Sequence, residues 1–255
     1  MPSKDTAGGR GRTQRLDKIL AHMGHGSRSE LRKMARQGAI RVNGLAVKDS
    51  SVHVDPAVDV IEVGGKRVLY REHIYLMMNK PAGVLSATED ARDRTVLDLL
   101  DRSYTVFEPF PVGRLDKDTV GLLLLTSDGQ LAHELLSPRK HVPKIYEADV
   151  EGDVGPEDVR AFSEGVTLED GYRTQPAELT ILSRERRGDQ TISRISLTIT
   201  EGKFHQVKRM FLSVGKKVVF LKRVAMGRLM LDEALPAGAC RELTPEEMAL
   251  LLPED

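Results

Sequence analysis

The sequence predicts an α+β fold in two domains, a small basic one at the N-terminus and a larger mixed one behind it. Three observations predict this. Residues 1–71 carry 14 Lys and Arg against 7 Asp and Glu, and the remainder carries 24 against 31, so a net charge of +0 conceals a basic front and an acidic back. Apolar spacing near the N-terminus is helical and then changes to short alternating runs. Beyond residue 74, strand-length apolar runs and helical spacings are mixed without a regular βαβ alternation.

Residues 1–14 are Gly, Ser, Thr and basic residues with almost nothing apolar, and read as a disordered basic tail. Leu16, Ile19, Leu20 and Met23 follow helical spacing up to Gly24 and Gly26. Ser27 with Glu30 three residues on is a capping box, opening a second helix from Arg28 to about Gln37 that stops at Gly38. Ile40 and Val42, the Asn43-Gly44 turn and Val47 read as a hairpin. Val52, Val54, Val58, Val60 and Ile61 suggest short strands closed by Gly64-Gly65. The N-terminal domain is thus residues 15–63, with 64–73 as a charged linker and 74–255 as the second domain.

In that second domain Tyr75–Met78 reads as a strand, and Asn79-Lys80-Pro81-Ala82-Gly83 as a turn. Leu122–Leu125 is apolar throughout, as a strand buried on both faces would be. Ser127-Asp128-Gly129 leads into a short helix ending at Pro138. Lys144 to Val150 reads as a strand, and Ile195, Leu197 and Ile199 alternate as a half-buried one. Phe204, Val207, Phe211 and Val214 share a helical face that Gly215 closes, ahead of a strand at Val218–Leu221. The tail from Thr244 is acidic and helix-prone.

Composition excludes several classes. No apolar run approaches the roughly 18 residues of a membrane span, and residues 1–14 lack the apolar core of a secretory signal. A single cysteine, Cys240, excludes an internal disulfide and a multi-cysteine metal site, which fits a reduced cytoplasm. There is no P-loop, no Gly-x-Gly-x-x-Gly fingerprint and no metal-ligand cluster.

Two groups of residues could carry function. Arg28, Arg32 and Arg36 recur every four residues and share one helix face, with Lys33 beside them and Arg41 and Lys48 on the hairpin. Only Glu30 is acidic within that helix, so the face suits a polyanion better than a plain solvated surface. The second group is Gly113-Arg114-Leu115-Asp116, a charged loop ahead of the buried Leu122–Leu125 strand. A loop carboxylate anchored by such a strand is held rigidly, and the neighbouring cation favours its charged form beside a polyanion.

Residues 15–63, through Arg15-Leu16-Asp17-Lys18, Gly26-Ser27-Arg28 and Gly38-Ala39-Ile40-Arg41-Val42-Asn43-Gly44, resemble an S4 (αL-like) RNA-binding domain. The stretch Gly113–Gly129 resembles the catalytic motif of the RsuA/RluB branch of pseudouridine synthases. Asn79-Lys80-Pro81-Ala82-Gly83, Lys144-Ile145-Tyr146 and Glu201-Gly202-Lys203-Phe204-His205-Gln206-Val207-Lys208-Arg209-Met210 resemble that family's other motifs, in the expected order. The resemblance implies a mixed, mainly antiparallel catalytic sheet and a cofactor-free isomerase acting on a uridine in structured RNA. It makes Asp116 the catalytic carboxylate, as nucleophile or base. It sets Tyr146 against the flipped uracil, the alternative being a half-buried strand tyrosine. Lys208 becomes the cation paired with Asp116, with Arg209 as the alternative. Arg114 would sit at the RNA, with Lys144, His205, Gln206 and Arg209 as further RNA contacts; a structural role is equally open for His205. The late motif is more similar to the RsuA subgroup, which implies small-subunit (16S) ribosomal RNA at the uridine called position 516; a 23S uridine is the second possibility. A cytoplasmic monomer acting on ribosomal RNA, within an assembling small subunit and with no membrane partner, is the expectation that follows. A non-catalytic RNA-binding or assembly protein is the competing one.

Overall fold

A computed structural model describes residues 13–251; the expected basic tail lies outside these except for Thr13 and Gln14. The chain divides into two compact units, and the N-terminal one takes in residues 102–108 as well as those up to His73.

In the N-terminal unit β1 (Gln14–Arg15) pairs with β4 (His53–Val54), and α1 (Leu16–His22) follows β1 directly. The capping box at α2 (Arg28–Arg36) forms as its sequence requires: Glu30 N donates to Ser27 Oγ, and Ser27 N donates to the Glu30 carboxylate at 2.8 Å. Asn43 (φ 52°) and Gly44 (φ 78°) both take the left-handed conformation of a two-residue hairpin turn, joining β2 (Ile40–Val42) to β3 (Leu45–Ala46). Leu16, Ile19 and Leu20 of α1 and Leu31 and Ala35 of α2 are fully buried on Ile40, Val54 and Ile61. The stretch read as a linker differs from expectation. Gly64-Gly65 is the turn between β5 (Ile61–Val63) and β6 (Lys66–Val68), and Val68 is buried in the same core. Alternation over so few residues is hidden among charges, which is why it reads as linker. The return at 102–108, with α3 (Arg102–Thr105), is also absent from the expected division. Phe107 there is buried against His22, edge to face at 5.3 Å, with the Arg71 guanidinium 5.1 Å from its ring.

The second unit is built on one mixed sheet. Its strands are β7 (Tyr75–Lys80), β8 (Phe110–Pro111), β9 (Val120–Thr126), β10 (Lys144–Glu151), β11 (Glu178–Arg187), β12 (Gln190–Ile199), β13 (Lys217–Met226), β14 (Leu229–Met230) and β15 (Cys240–Glu242). The order is β11-β12-β10-β13-β9-β7-β15, with β14 on β13 and β8 on β9. Only β9 and β13 pair in parallel; every other named pair is antiparallel, as expected. Leu122 and Leu124 of β9 pack with Leu131 and Leu135 of α4 (Gly129–Leu136), and Leu123 and Leu125, which point the other way, are equally buried. Asp128 caps α4 by accepting from the amides of Gln130 and Leu131. The rings of Phe162 in α5 (Pro156–Glu164) and Phe211 in α6 (Gln206–Ser213) meet at 4.9 Å. The acidic tail forms α7 (Pro245–Ala249) behind a Thr244–Glu247 capping box. No helix among the described residues is long and apolar enough to cross a membrane.

Three features differ from the sequence reading. β11 is an edge strand whose charged residues hide its alternation, and α5 has too few apolar positions to declare itself. Phe204, expected inside α6, is 73% exposed. His205 adopts a left-handed φ of 48°, so the helix starts at Gln206 and Phe204 never joins its face.

The parallel pair requires a glycine. Gly121 (φ 99°) lies opposite Arg223, and a Cβ there would fall 2.2 Å from the Arg223 carbonyl oxygen. Gly121→Ala should therefore destabilise the protein by about 2–4 kcal/mol through strain and overpacking. Gly129→Ala, in open space within α4, should be neutral or stabilising by up to about 1 kcal/mol. Urea unfolding of both variants checks the contrast.

Candidate active site

The segment from Leu115 to Thr119 leads into β9, and side chains from the β7 region hold its backbone in place. Lys80, at the end of β7, is fully buried. Its ammonium donates to the carbonyls of Thr119 (2.9 Å), Asp116 (3.1 Å), Pro81 (3.1 Å) and Lys117 (3.4 Å). Burial pushes its pKa down to about 8, against the upward pull of Asp118 and Asp116. Ser86 Oγ accepts from the Leu115 amide at 3.1 Å and donates to the Leu115 carbonyl at 3.0 Å. Gly83 N donates to the Lys117 carbonyl at 2.7 Å, and Thr119 N to the Asp116 carbonyl at 3.1 Å. The loop is thus fixed through its backbone, and the Asp116 side chain is left free for other partners.

Those partners come from the start of α6. Lys208 Nζ lies 3.0 Å from Asp116 Oδ2 and 2.6 Å from Asp118 Oδ1, and His205 Nε2 is 3.5 Å from Asp116 Oδ1. Burial disfavours the Lys208 charge, but hydrogen bonds to Asp118 and Asp116 outweigh it and hold its pKa above the ordinary lysine range. The Lys208 bond in turn holds Asp118 below the usual carboxylate range. Asp116 opens onto a cavity of about 570 Å³ whose lining includes Arg114, Thr119, Tyr146, Phe204 and His205. Arg114 is exposed and has no ion-pair partner among the described residues. Tyr146 is 7% exposed, on β10 opposite Arg223 of β13 and Leu197 of β12. Thr119 Oγ1 is buried without a hydrogen-bond partner among the described residues.

The structure therefore brings Asp116, Tyr146, Lys208, Arg114 and His205 together, and separates three residues from the roles the motifs imply. Arg209 is not the Asp116 partner; its guanidinium is held by Glu169 (2.6 Å) and Asp170, one position round the helix from Lys208. Lys144 is not among the residues that line the cavity, although it lies on the same face of β10 as Tyr146. It shares the buried side of β10 with Tyr146, Ala148 and Val150, donates to the Val142 carbonyl, and has its pKa lowered by burial and by Arg223. Gln206 lines the cavity, but its Oε1 accepts from the Lys203 amide at 2.8 Å and its Nε2 donates to Glu201 at 2.7 Å. Glu201 also accepts from the Tyr172 hydroxyl and the Gln175 amide. In the N-terminal unit Arg28, Arg32, Lys33, Arg36, Arg41 and Lys48 are all exposed, and none has an ion-pair partner among the described residues.

Lys80, Ser86 and Asp118 carry roles that the sequence reading did not assign. The Lys80-Pro81 step at a strand end was their one visible sign, because three of the four carbonyls that Lys80 binds lie 36 to 39 residues away. Lys80→Met should cost about 3 kcal/mol, since an apolar side chain of similar length leaves the Thr119 carbonyl without its donor and removes one bond from each of the Asp116, Lys117 and Pro81 carbonyls. The folded-state pKa near 8 lies below the ordinary 10.5, so between these values the unfolded chain holds the extra proton. Wild-type stability should thus rise relative to Lys80→Met as pH increases through that window. Unfolding curves of both proteins at several pH values test cost and sign.

Comparison with known proteins agrees with this geometry. Residues 74–213 match the RNA pseudouridylate synthase family, and residues 14–60 match the S4 domain. An uncharacterized RNA pseudouridine synthase of Bacillus subtilis is 55% identical over 237 residues, covering 93% of this chain and 98% of its own. Ribosomal large subunit pseudouridine synthase B of Bacillus subtilis is 40% identical over 93% of this chain and 95% of its own. Ribosomal small subunit pseudouridine synthase A of Escherichia coli is 37% identical over 92% of this chain and 98% of its own. A crystal structure of a pseudouridylate synthase superposes with a TM-score of 0.64 at 38% identity, over 93% of this chain and 99% of that one. With a carboxylate loop, a paired lysine and a tyrosine around one cavity, and with these matches along most of its length, this chain belongs to the RNA pseudouridylate synthase family and carries an S4 domain at its N-terminus.

Proposed function

We propose that this protein isomerises a uridine of 16S ribosomal RNA, of the position 516 type, with Asp116 as the carboxylate that acts on the ribose. One observation carries the catalytic reading: Asp116 projects from a backbone-fixed loop into a cavity, ion-paired with Lys208 and sharing that cavity with Tyr146. The reaction breaks the bond from uracil N1 to C1′, rotates the base and forms a bond from C5 to C1′. The C5 proton is lost and N1 gains one, so no redox partner is needed. Asp116 serves as nucleophile at C1′ or as base toward a ribose proton. Tyr146 offers the base a flat apolar surface and a hydroxyl near the departing C5 proton. Lys208 balances the carboxylate beside the RNA. Arg114, unpaired at the rim, fills the place of the flipped base. Extruding the uridine costs a few kcal/mol, which cationic contacts offset.

The exposed cations of α2 and its following hairpin support phosphate binding by the N-terminal unit. The late motif, with His205 between Phe204 and Gln206, supports the small-subunit target. The 40% identical large-subunit relative supports a 23S uridine as the second reading. A monomer working on an assembling small subunit is the form we assign to the enzyme in cells. Pseudouridine mapping of ribosomal RNA from cells with and without this protein decides between the targets; a single site missing from 23S RNA replaces the first reading with the second.

Asp116→Asn should abolish isomerisation and leave RNA affinity within a few fold, because the loop is held by its backbone and Lys208 keeps Asp118. Tritium release in single-turnover assays measures the first and titration the second; substantial turnover by the variant would remove Asp116 from its role. Arg28→Ala with Arg32→Ala should remove about two ionic contacts and lower the slope of log K against log salt by roughly 1.4 to 1.8. Weakening should be equal for substrate and for a scrambled hairpin, with the rate at saturating RNA unchanged.

A further inference from the structure

We propose that Phe204 is a stacking platform for the nucleobase next to the target uridine, and so a substrate-contacting residue that favours an unpaired base at that neighbour. The inference rests on the RNA-modifying reading above. Phe204 is 73% exposed at the rim of the Asp116 cavity, an unusual position for a large apolar ring. One of its faces is stacked on the His205 ring, with centroids 3.7 Å apart and planes 20° from parallel. With that face covered, the exposure leaves the opposite face open.

The backbone that carries the ring is also braced. The Phe204 backbone carbonyl accepts from Arg209 Nη1 at 3.3 Å, and Glu169 and Asp170 anchor that guanidinium. Lys203 N donates to Gln206 Oε1, and the Lys203 ammonium lies 4.9 Å from the Tyr172 ring. His205 adopts its left-handed backbone between two fixed neighbours and reaches Asp116 at 3.5 Å. An exposed apolar ring on a braced loop, stacked on the residue that touches Asp116, is arranged to receive a flat apolar surface. In an RNA whose uridine enters the cavity, that surface is an adjacent base. Its partner must be unstacked to reach the ring, which is how single-stranded loops are recognised by aromatic side chains.

The test uses the full-length protein and a short hairpin cut from the ribosomal RNA around the uridine found by mapping. 2-Aminopurine replaces, in turn, the nucleotide on its 5′ and its 3′ side. The expected result is strong quenching at one of the two positions with wild type, absent with Phe204→Ala and restored with Phe204→Tyr. Phe204→Ala should lower kcat/KM about tenfold on the intact hairpin. On a hairpin abasic at the quenched position, wild type and Phe204→Ala should differ by less than twofold. Equal loss by Phe204→Ala on intact RNA and on both abasic RNAs overturns the platform, as does failure of Phe204→Tyr to restore activity. Pseudouridine yield with wild type separates the two levels: product without Phe204-dependent quenching rejects the platform alone, and no product rejects the catalytic reading on which it rests.

Discussion

The Lys80 ammonium and the carbonyls it holds set the geometry of the rest of the site. A fully buried lysine is costly to place, and its burial depresses its pKa to about 8. The cost is offset because its hydrogens meet the carbonyls of Asp116, Lys117 and Thr119; the first two also accept from the Thr119 and Gly83 amides, while the Thr119 carbonyl depends on Lys80. The same contacts join the end of β7 to the start of β9, two strands already paired through Lys80 and Gly121. The loop is thereby rigid without using the Asp116 side chain. A carboxylate whose backbone is fixed and whose oxygens remain available is preorganised for chemistry.

The site's cations divide by what surrounds them. Lys208 stands between Asp116 and Asp118, and both bonds favour its charge. Arg209, the next residue, points to Glu169 and Asp170 and fixes the loop that carries Phe204. Lys144 and Arg223 are buried on neighbouring strands, where they donate to the backbone: Lys144 to the Val142 carbonyl and Arg223 Nε to the Leu122 carbonyl. Arg114 and Lys203 are the motif cations that are exposed without an ion-pair partner among the described residues, and the Lys203 ammonium lies 4.9 Å from the Tyr172 ring while Arg114 lines the cavity. A motif rich in Lys and Arg is therefore mostly scaffold. The groups left for substrate are Arg114, the shared Lys208 and the Phe204–His205 pair.

Much of this was legible in the amino-acid order. The Ser27–Glu30 capping box, the Asn43-Gly44 turn, the buried Leu122–Leu125 strand and the Asp116 loop are properties of contiguous residues, and each formed as local physics requires. Less legible were elements with weak periodicity. β6 is three residues long and mostly charged, β11 is a charged edge strand, and residues 102–108 pack into the N-terminal unit from far along the chain. Phe204 misled because its spacing fits the α6 face, while the left-handed His205 backbone delays the helix to Gln206, two residues beyond it.

By itself the sequence determined the two-part α+β organisation, the exposed basic stripe of α2 and the carboxylate loop, because helical and strand periods, caps and turns are encoded within a few residues of one another. Tertiary structure decided which charge meets which. Lys208 rather than Arg209 reaches Asp116, although both stand next to each other, because adjacent helical residues point about 100° apart. Lys144 turned inward while Arg114 stayed out, and Lys80 became the anchor of a loop 36 to 39 residues away. Such pairings depend on distances through space that close only when the sheet is assembled, and no local pattern records them.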